Sequence, residues 1–189
     1  MTELSQGRVS DARTMRALAH PARIEIVEHL SASGAAVTAT ECAGLVGLSP
    51  SATSYHLREL AKYGLVEQAP GRGDGRERLW RSTSTSLWIE GDVEQPEAMA
   101  AERALIELYL ARDFNRLREW ADRQSGESKQ WRDAAALMGQ HLLITAEELT
   151  ELTQQVRALM APYRTRERQR SAPEGAREVV VQYAAFPKA

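Results

Sequence analysis

Four polar side chains within residues 51–58 recur at the spacing of one helix face. Ser51, Ser54, Tyr55 and Arg58 supply two aliphatic hydroxyls, a phenol and a guanidinium. Residues three and four apart share a helix face, so these groups would project together. Such donors suit the acceptor edges of bases in a major groove and the phosphates beside it. Any amphipathic helix also has a polar outer face, so the helix alone leaves both interpretations open.

The neighbouring residues predict the helix that positions this face. Ser49 can cap the first turn, and Pro50 fits the first helical position, where its missing N–H is not needed. Gly64 suits the residue after a helix end, which often takes a left-handed conformation. An inward stripe lies opposite the polar face: Thr53, Leu57 and Leu60.

A hairpin is predicted directly after this helix. Segments 65–68 and 78–81 have strand-like composition and flank a tip, 70–76, with three glycines in five residues. Cations that could contact phosphates of any sequence occupy the tip and the exit strand: Arg72, Arg76, Arg78 and Arg81. Alone, an arginine–glycine hairpin is usually a solvated loop. Behind a helix with this outer face, it indicates a wing that contacts DNA.

Three helices are predicted before this helix and hairpin, and they would supply the core on which both pack. The pattern predicts helices over 11–19, 21–33 and 40–46. Their inward residues are predicted to be Met15, Leu18, Ile24, Val27, Leu30, Cys42, Leu45 and Val46. Gly47 breaks the third of these helices. That helix, the turn 47–49 and the next helix therefore form a helix-turn-helix.

These segments resemble the winged helix-turn-helix of the ArsR/SmtB transcriptional regulators. The most specific parts are residues 18–23 (LAHPAR) and 54–57 (SYHL), within a resemblance that covers residues 11–90. The resemblance implies a homodimer that binds an inverted-repeat operator and usually represses transcription. It also implies that six residues lie on the DNA side: Ser51, Ala52, Ser54, Tyr55, His56 and Arg58.

The metal chemistry of that family is not expected in this chain. Its best-known site needs a Cys-x-Cys pair, and Thr38 and Thr40 stand at those positions, so thiolate coordination is excluded. Its other site uses Asp and His on a helix after the wing, yet no histidine lies between His56 and His141. The four histidines also lack a ligand spacing such as i, i+4. We predict no metal and no cofactor, with His20 and His56 in structural or DNA-facing roles.

The single cysteine, Cys42, falls where the helix pattern needs a small buried side chain. Without a second cysteine, an intramolecular disulfide switch is excluded. The chain also shows no apolar N-terminal run and no apolar segment long enough to cross a bilayer. Together these features predict a soluble, cytoplasmic protein without a membrane role.

Charge is distributed unevenly along the chain. The formal net charge is −2, which is not that of a nonspecific nucleic-acid coat. Residues 50–81 hold six Arg or Lys against four acids, net +2, which leaves −4 for the rest. A modest basic face fits a site-specific binder that acts as a dimer rather than through bulk electrostatics.

The second half of the chain is predicted to be a linker followed by helices and two short strands. A linker over 91–96 leads into one long helix, 97–123, whose broad apolar stripe indicates either dimerisation or packing within its own subunit. A capping box at 145–148 starts a further helix. Two short strands, 142–144 and 179–186, are predicted to pair antiparallel beside that helix.

Three roles stay open for this half: dimerisation, binding of a small-molecule effector, or recruitment of a protein. Its aromatic residues could line an apolar pocket or form core: Tyr109, Phe114, Trp120, Trp131 and Tyr183. No paired carboxylates, nucleophile–base pair or phosphate-binding loop stands out, so an enzyme is not predicted.

The predicted fold is mainly α with small β. A winged helix-turn-helix occupies residues 1–91, and a helical domain over 92–189 contains a long linking helix, a C-terminal helix and a two-stranded antiparallel sheet. The predicted function is a homodimeric transcriptional repressor that binds a double-stranded DNA operator. The rival hypothesis is a winged-helix module that binds proteins without touching DNA.

Overall fold

The structure is a computed structural model. It describes residues 7–71, 78–92, 94–168 and 171–188. The chain divides into two compact units, Met1–Tyr109 and Leu110–Ala189.

The first unit alternates short strands with helices. Its elements are β1 (Gly7–Val9), α1 (Ala12–Leu18), α2 (Pro21–Ser33), β2 (Val37–Thr38), α3 (Ala39–Val46), α4 (Pro50–Lys62), β3 (Val66–Ala69), β4 (Leu79–Ser82) and β5 (Leu87–Ile89). A long helix, α5 (Pro96–Arg123), begins in this unit and ends in the second. The elements that follow are α6 (Lys129–Ala134), α7 (Ala146–Met160) and α8 (Thr165–Arg168). The mainly helical fold with a small sheet is as predicted.

A reciprocal cap sets the start of α3. The Glu41 N–H donates to Thr38 Oγ1 at 3.1 Å, and the Thr38 N–H donates to the Glu41 carboxylate at 2.5 Å. This pair satisfies two N–H groups that a helix start would otherwise leave without partners. The helix therefore begins at Ala39, one residue before the predicted start at Thr40.

Left-handed glycines end three of the helices. Gly34, Gly47 and Gly64 have φ angles of 62°, 64° and 68°. The Gly34 N–H donates to the Leu30 carbonyl oxygen at 2.9 Å, which closes the last turn of α2. Residues with a Cβ adopt this conformation only with strain, so glycine fixes each helix end. All three ends were predicted.

Two small sheets pack beside these helices. β4 is the central strand of an antiparallel sheet in the order β2-β4-β3, with Trp80 opposite Val37 on one side and Gln68 on the other. β1 pairs in parallel with β5, placing Gly7 opposite Leu87 and Val9 opposite Ile89. The hairpin β3–β4 was predicted. The pairings of β1, β2 and β5 were not.

Most of the predicted inward side chains form one core. The fully or nearly fully buried members include Met15, Leu18, Ile24, Val27, Leu30, Cys42, Leu57, Leu60 and Trp80. Leu45 is the exception, because its side chain is 51% exposed. The buried face of α3 is defined by Cys42 and Ala43, with Val46 packed at its margin, and Leu45 lies past the edge of that face. The prediction that Leu45 points inward was wrong.

The first turns of α5 belong to the core of the first unit. Ala98, Ala101 and Leu105 are buried there. Gly91 is buried as well, and a Cβ on it would lie 2.7 Å from Glu102 Oε2 and 3.2 Å from the Ala98 carbonyl oxygen. The close approach of the chain to α5 at Gly91 thus requires a residue without a side chain.

The second unit buries little apolar surface within one chain. From Leu110 onward, no described residue falls in the buried class. Many large apolar side chains are exposed there, among them Leu110, Phe114, Leu137, Leu143, Leu159, Val179, Val181 and Phe186. No helix among the described residues has the length and hydropathy that a bilayer crossing requires.

The two strands predicted in this unit do not form. Neither 142–144 nor 179–186 pairs with another segment, and neither has regular secondary structure. Their β-branched and apolar content suggested strands, but a strand is stable only when its backbone groups find a partner. The prediction of a C-terminal two-stranded sheet was therefore wrong.

Side chains tie the last segment to the helices of its unit instead. The Arg177 guanidinium binds both Glu127 carboxylate oxygens, at 2.8 and 3.0 Å, and lies 4.9 Å from the centre of the Trp131 ring. Tyr183 Oη lies 3.4 Å from Thr153 Oγ1 on α7. Hydrogen bonds and ring contacts, rather than a strand ladder, thus position this segment.

Candidate nucleic-acid interface

Helix α4 separates an exposed polar face from a buried stripe. Ser49 Oγ accepts from the Ala52 N–H at 3.3 Å, and Pro50 occupies the first helical position, as predicted. The inward residues Thr53, Leu57 and Leu60 are each 0% exposed. Because that stripe is locked in the core, the rotation of α4 about its axis is fixed.

The outer face carries most of the residues predicted to meet DNA. Ser51 and Arg58 are exposed, Tyr55 is 51% exposed, and Ala52 and Ser54 are half-buried beside them. The structure therefore brings these five residues onto one accessible surface. Hydroxyl, phenol and guanidinium groups on a helix of this size match the donors that a major groove accepts.

His56 is placed differently from its neighbours. Its side chain is only 8% exposed, and its Nδ1 accepts from Arg23 Nε at 3.3 Å. Burial, followed by the nearby His20 and Arg23, lowers the pKa of His56 below its ordinary value of 6.5. In this geometry His56 contacts other parts of its own domain, which is the structural one of the two roles expected from sequence.

An ion pair marks the far end of the exposed face. Lys62 Nζ contacts Glu59 Oε1 one turn earlier on α4. The hydrogen bond from Lys62 lowers the pKa of Glu59, so this carboxylate is ionised and paired at neutral pH. The pairing masks the one acid of α4 from an approaching polyanion.

The wing is partly described. Its two strands, β3 and β4, pair with Glu67 opposite Arg81, and Arg78 is exposed just before β4. Arg72 and Arg76 lie outside the described residues. The Arg81 guanidinium binds Glu67 Oε1 at 2.6 Å, so this cation is held across the hairpin. Of the two described arginines on the exit side of the hairpin, Arg78 is exposed and Arg81 is paired.

Neither the metal positions nor the cysteine forms a reactive site. Thr38, at one of the family's cysteine positions, is the cap of α3. Among residues 7–71, 78–92, 94–168 and 171–188, no group of three or more His, Cys, Asp or Glu could hold a metal ion. Cys42 is fully buried, and burial, with a smaller effect of Glu41, raises the pKa of its thiol to about 11. The thiol is therefore protonated and unreactive at neutral pH.

One cluster in this region was missed from sequence. His20, Arg23 and His56 converge although His56 lies 33 residues beyond Arg23 in the chain. Both histidines stand in the motifs that carry the ArsR/SmtB resemblance, and that was the available signal. Their mutual contact depends on how α2 packs on α4, which a local pattern does not specify.

The comparisons with known proteins concern the same region. Residues 18–69 match the family model described as a helix-turn-helix domain. That segment runs from the end of α1 to the last residue of β3 and includes all of α3 and α4. No curated protein matches the chain.

Solved structures of transcriptional regulators are similar to part of the chain. The homodimeric winged helix-turn-helix DNA-binding domain Mb0332 from Mycobacterium bovis, a possible ArsR-family regulator, is 20% identical, with a TM-score of 0.35; 54% of this chain and 77% of that one are covered. NolR from Sinorhizobium fredii is 28% identical, with 52% and 82% covered and a TM-score of 0.33. A possible transcriptional regulator for arsenical resistance is 28% identical, with 56% and 92% covered and a TM-score of 0.33.

The family match and the observed arrangement agree. Helices α3 and α4 with the left-handed turn at Gly47 form the helix-turn-helix, and β3 and β4 form the wing behind it. In such a motif the second helix, here α4, is the recognition helix. Residues 18–69 of the first unit thus match a helix-turn-helix domain family, and the fold of this segment is that of a helix-turn-helix followed by a strand of the wing.

Proposed function

We propose that this chain is a homodimeric, sequence-specific repressor that binds a double-stranded operator. The observation that carries the proposal is the two-sidedness of α4. Its inner stripe is fully buried, while Ser51, Tyr55 and Arg58 stand exposed on the opposite side. A helix fixed in this way presents one constant set of donors to a groove, which sequence-specific recognition requires.

Each predicted contact residue has a distinct role in this proposal. Ser51, Ser54, Tyr55 and Arg58 meet base edges and nearby phosphates, and Ala52 lets the helix approach closely. Arg78, with Arg72 and Arg76 beyond the described residues, contacts the backbone of a neighbouring groove. His56 positions the recognition helix rather than touching DNA, because its side chain is almost wholly buried.

We propose that a second copy of the chain covers the exposed apolar residues of the second unit. The exposed apolar residues Leu110 and Phe114 lie one turn apart on α5, and the rest of the second unit buries little by itself. A monomer rarely leaves so many large apolar side chains in water. Two copies joined there would present two recognition helices to the two halves of an inverted repeat.

The proposal is tested by selecting DNA with the full-length chain. Duplexes from a random pool that bind at pH 7.5 are amplified over several rounds and sequenced. We expect a short inverted repeat, bound specifically and with an affinity that falls as salt rises. A pool that stays random would contradict the proposal and favour the rival function, a protein-interaction module.

The sign of regulation has its own test. The selected duplex is placed across a promoter and transcribed in vitro with increasing amounts of the chain. Repression predicts that transcripts decrease as the duplex becomes occupied. An increase would retain the DNA-binding proposal and overturn the repressor assignment. The same assay with candidate small molecules tests whether the second unit responds to an effector.

A further inference from the structure

A cluster of four side chains joins the recognition helix to α1 and α2. The His20 and His56 rings lie 4.5 Å apart, inclined at 42°. Arg23 Nε donates to His56 Nδ1 at 3.3 Å, and Arg23 Nη1 donates to the Ala17 carbonyl oxygen at 2.6 Å. The guanidinium carbon of Arg23 lies 6.0 Å from the centre of the Tyr55 ring. His20, Arg23, Tyr55 and His56 are hereafter the histidine–arginine cluster.

The hydrogen bonds of the cluster define the protonation of both imidazoles. His20 caps α2, because its Nδ1 accepts from the Ala22 N–H at 3.2 Å. His56 Nδ1 accepts from Arg23 Nε. A ring nitrogen that accepts carries no proton, so each ring is neutral with its proton on Nε2. Protonation of either ring would place a hydrogen on Nδ1 and remove the corresponding bond.

The charges around the rings oppose such protonation. Burial lowers the pKa of His20, with a further effect of Arg23, and burial, His20 and Arg23 lower the pKa of His56. Arg23 reaches both rings from α2, and Tyr55 contacts His56 edge-on at 5.6 Å. Glu59, the acid one turn further along α4, is already paired with Lys62. The cluster is therefore neutral apart from Arg23 at pH 7.5.

We propose that the histidine–arginine cluster positions Tyr55 and the exposed face of α4 for specific binding, and that it does so only while both histidines are neutral. Acid would then weaken binding to the operator. The inference rests on the proposed function, because it concerns the specificity of the same recognition helix. Arg23 and His56 act here as positioning residues, since His56 is almost wholly buried and the Arg23 guanidinium is bonded to His56 and to the Ala17 carbonyl oxygen.

The expected loss of specific affinity in acid is opposite in sign to the effect of adding a positive charge at the protein surface. A protonated surface histidine adds a cation and strengthens binding to any polyanion. In the cluster, protonation instead turns the Nδ1 acceptor of His56 into a donor that faces the Arg23 guanidinium. Specific affinity should therefore fall at acid pH while affinity for a scrambled duplex rises or stays constant.

The experiment compares two duplexes over a range of pH. The full-length chain is titrated between pH 7.5 and 5.5 against the duplex selected from a random pool and against its scrambled sequence, with circular dichroism confirming the fold at each pH. The ratio of the two affinities is expected to fall severalfold, because acid protonates the histidines of the free protein while specific binding requires both to be neutral. A ratio that stays constant would overturn the inference.

Variants separate positioning from general stability. His20→Asn with His56→Asn keeps an oxygen acceptor near each Nδ1 position but cannot be protonated, so the ratio of specific to scrambled affinity of this double variant, whatever its value at pH 7.5, should not change with pH. His141→Asn, an exposed histidine in the second unit, is the control and should keep the wild-type profile. A double variant with the wild-type pH profile would contradict the proposal.

Arg23→Lys provides an independent measurement. Lysine keeps the charge but lacks the two separate donor nitrogens with which Arg23 bonds His56 and the Ala17 carbonyl oxygen, so specific affinity at pH 7.5 should fall about tenfold with scrambled binding unchanged. Unchanged specific affinity would overturn the role of Arg23. If the wild-type chain selects no duplex, the proposed function fails and the inference with it. A selected duplex bound equally at every pH removes the inference alone.

Discussion

At the scale of single residues, exposure divides the recognition helix into two roles. Tyr55 stands half in solvent, whereas its neighbour His56 is buried against α2. Adjacent residues on a helix point about 100° apart, so one can meet DNA while the next contacts the protein. Truncating an exposed side chain of α4 should therefore change DNA binding without changing the fold.

Arg58→Ala tests an exposed contact. Removal of a guanidinium that meets a base edge should weaken binding to the selected duplex by about 1–3 kcal/mol. Fluorescence anisotropy with labelled duplex measures the loss. Arg13→Ala on α1 is the matched control, since Arg13 is also exposed but lies outside α4, and it should change little. Equal losses in the two variants would contradict the assigned face.

Cys42→Ser tests a buried residue. The exchange places a hydroxyl in an apolar site, which should lower the free energy of unfolding by roughly 1–3 kcal/mol in urea denaturation. Cys42→Ala, which adds no polar group, should lower it less. The folded-state pKa of about 11 exceeds the ordinary 9.0, so the thiol's contribution is complete below pH 9 and declines above it. Rapid labelling of the native thiol at pH 8 would contradict this assignment.

At the scale of elements, helix ends and the wing decide the geometry. Local signals predicted most of these features: Ser49 with Pro50 for the start of α4, and Gly47 and Gly64 for two helix ends. Such signals act through the backbone of a few residues, so a single sequence reveals them. The pairing of β1 with β5 has no local signal, because each strand is three residues long and its partner is distant in sequence.

The same contrast explains where prediction of the site succeeded and failed. The polar face of α4 follows from helical periodicity, and three of its four predicted residues, Ser51, Tyr55 and Arg58, are exposed while Ser54 is half-buried. The burial of His56 depends on the packing of α2 against α4, and its loss from the surface was not predicted. In the second unit, β-branched residues at 179–181 suggested a strand, but propensity does not supply the pairing partner that a strand needs.

Gly44 inside α3 and Gly47 directly after it give a matched test of the helix end. Gly47→Ala introduces a Cβ at φ 64° and should destabilise the domain by about 1–2 kcal/mol. Gly44→Ala lies inside the same helix, where a Cβ meets nothing within 4 Å, and should stabilise by up to about 1 kcal/mol. Urea denaturation compares the two. Effects of the same sign would contradict the role given to Gly47.

Arg78→Ala tests the wing through salt. Loss of one phosphate contact should reduce the slope of log affinity against log salt by about one, for selected and scrambled duplexes alike. Arg81→Ala provides the comparison, because Arg81 is paired with Glu67 at 2.6 Å and should change the slope less. A larger change for Arg81 would reverse the assignment of the two residues.

At the scale of the whole molecule, the second unit raises the question of assembly. Its helices carry apolar side chains that one chain leaves in water, and its tail is held by contacts such as Arg177 with Glu127. Burial of apolar surface between two copies would supply the stability that a single copy lacks. Assembly and operator affinity are then expected to change together.

Phe114→Glu tests that coupling. A carboxylate in place of a side chain that is 58% exposed in one chain should leave the first unit folded but separate the copies. Sedimentation velocity should show a smaller particle, and affinity for the full inverted repeat should approach that for a single half-site. Asn115→Glu adds the same charge at the next, polar position and should retain the dimer. If both variants stayed dimeric, this surface would not be the interface.

The parallel pairing of β1 with β5 bears on the order in which the domain folds. Gly7 finds its partner at Leu87, so this contact closes across almost the entire first unit, whereas α3 contacts α4 a few residues away. Closing a long loop is entropically expensive and slow compared with joining neighbouring helices. During synthesis on the ribosome, β1 cannot pair until β5, about eighty residues later, has been made. Helix α4 can therefore pack on the other helices of the core before β1 pairs with β5.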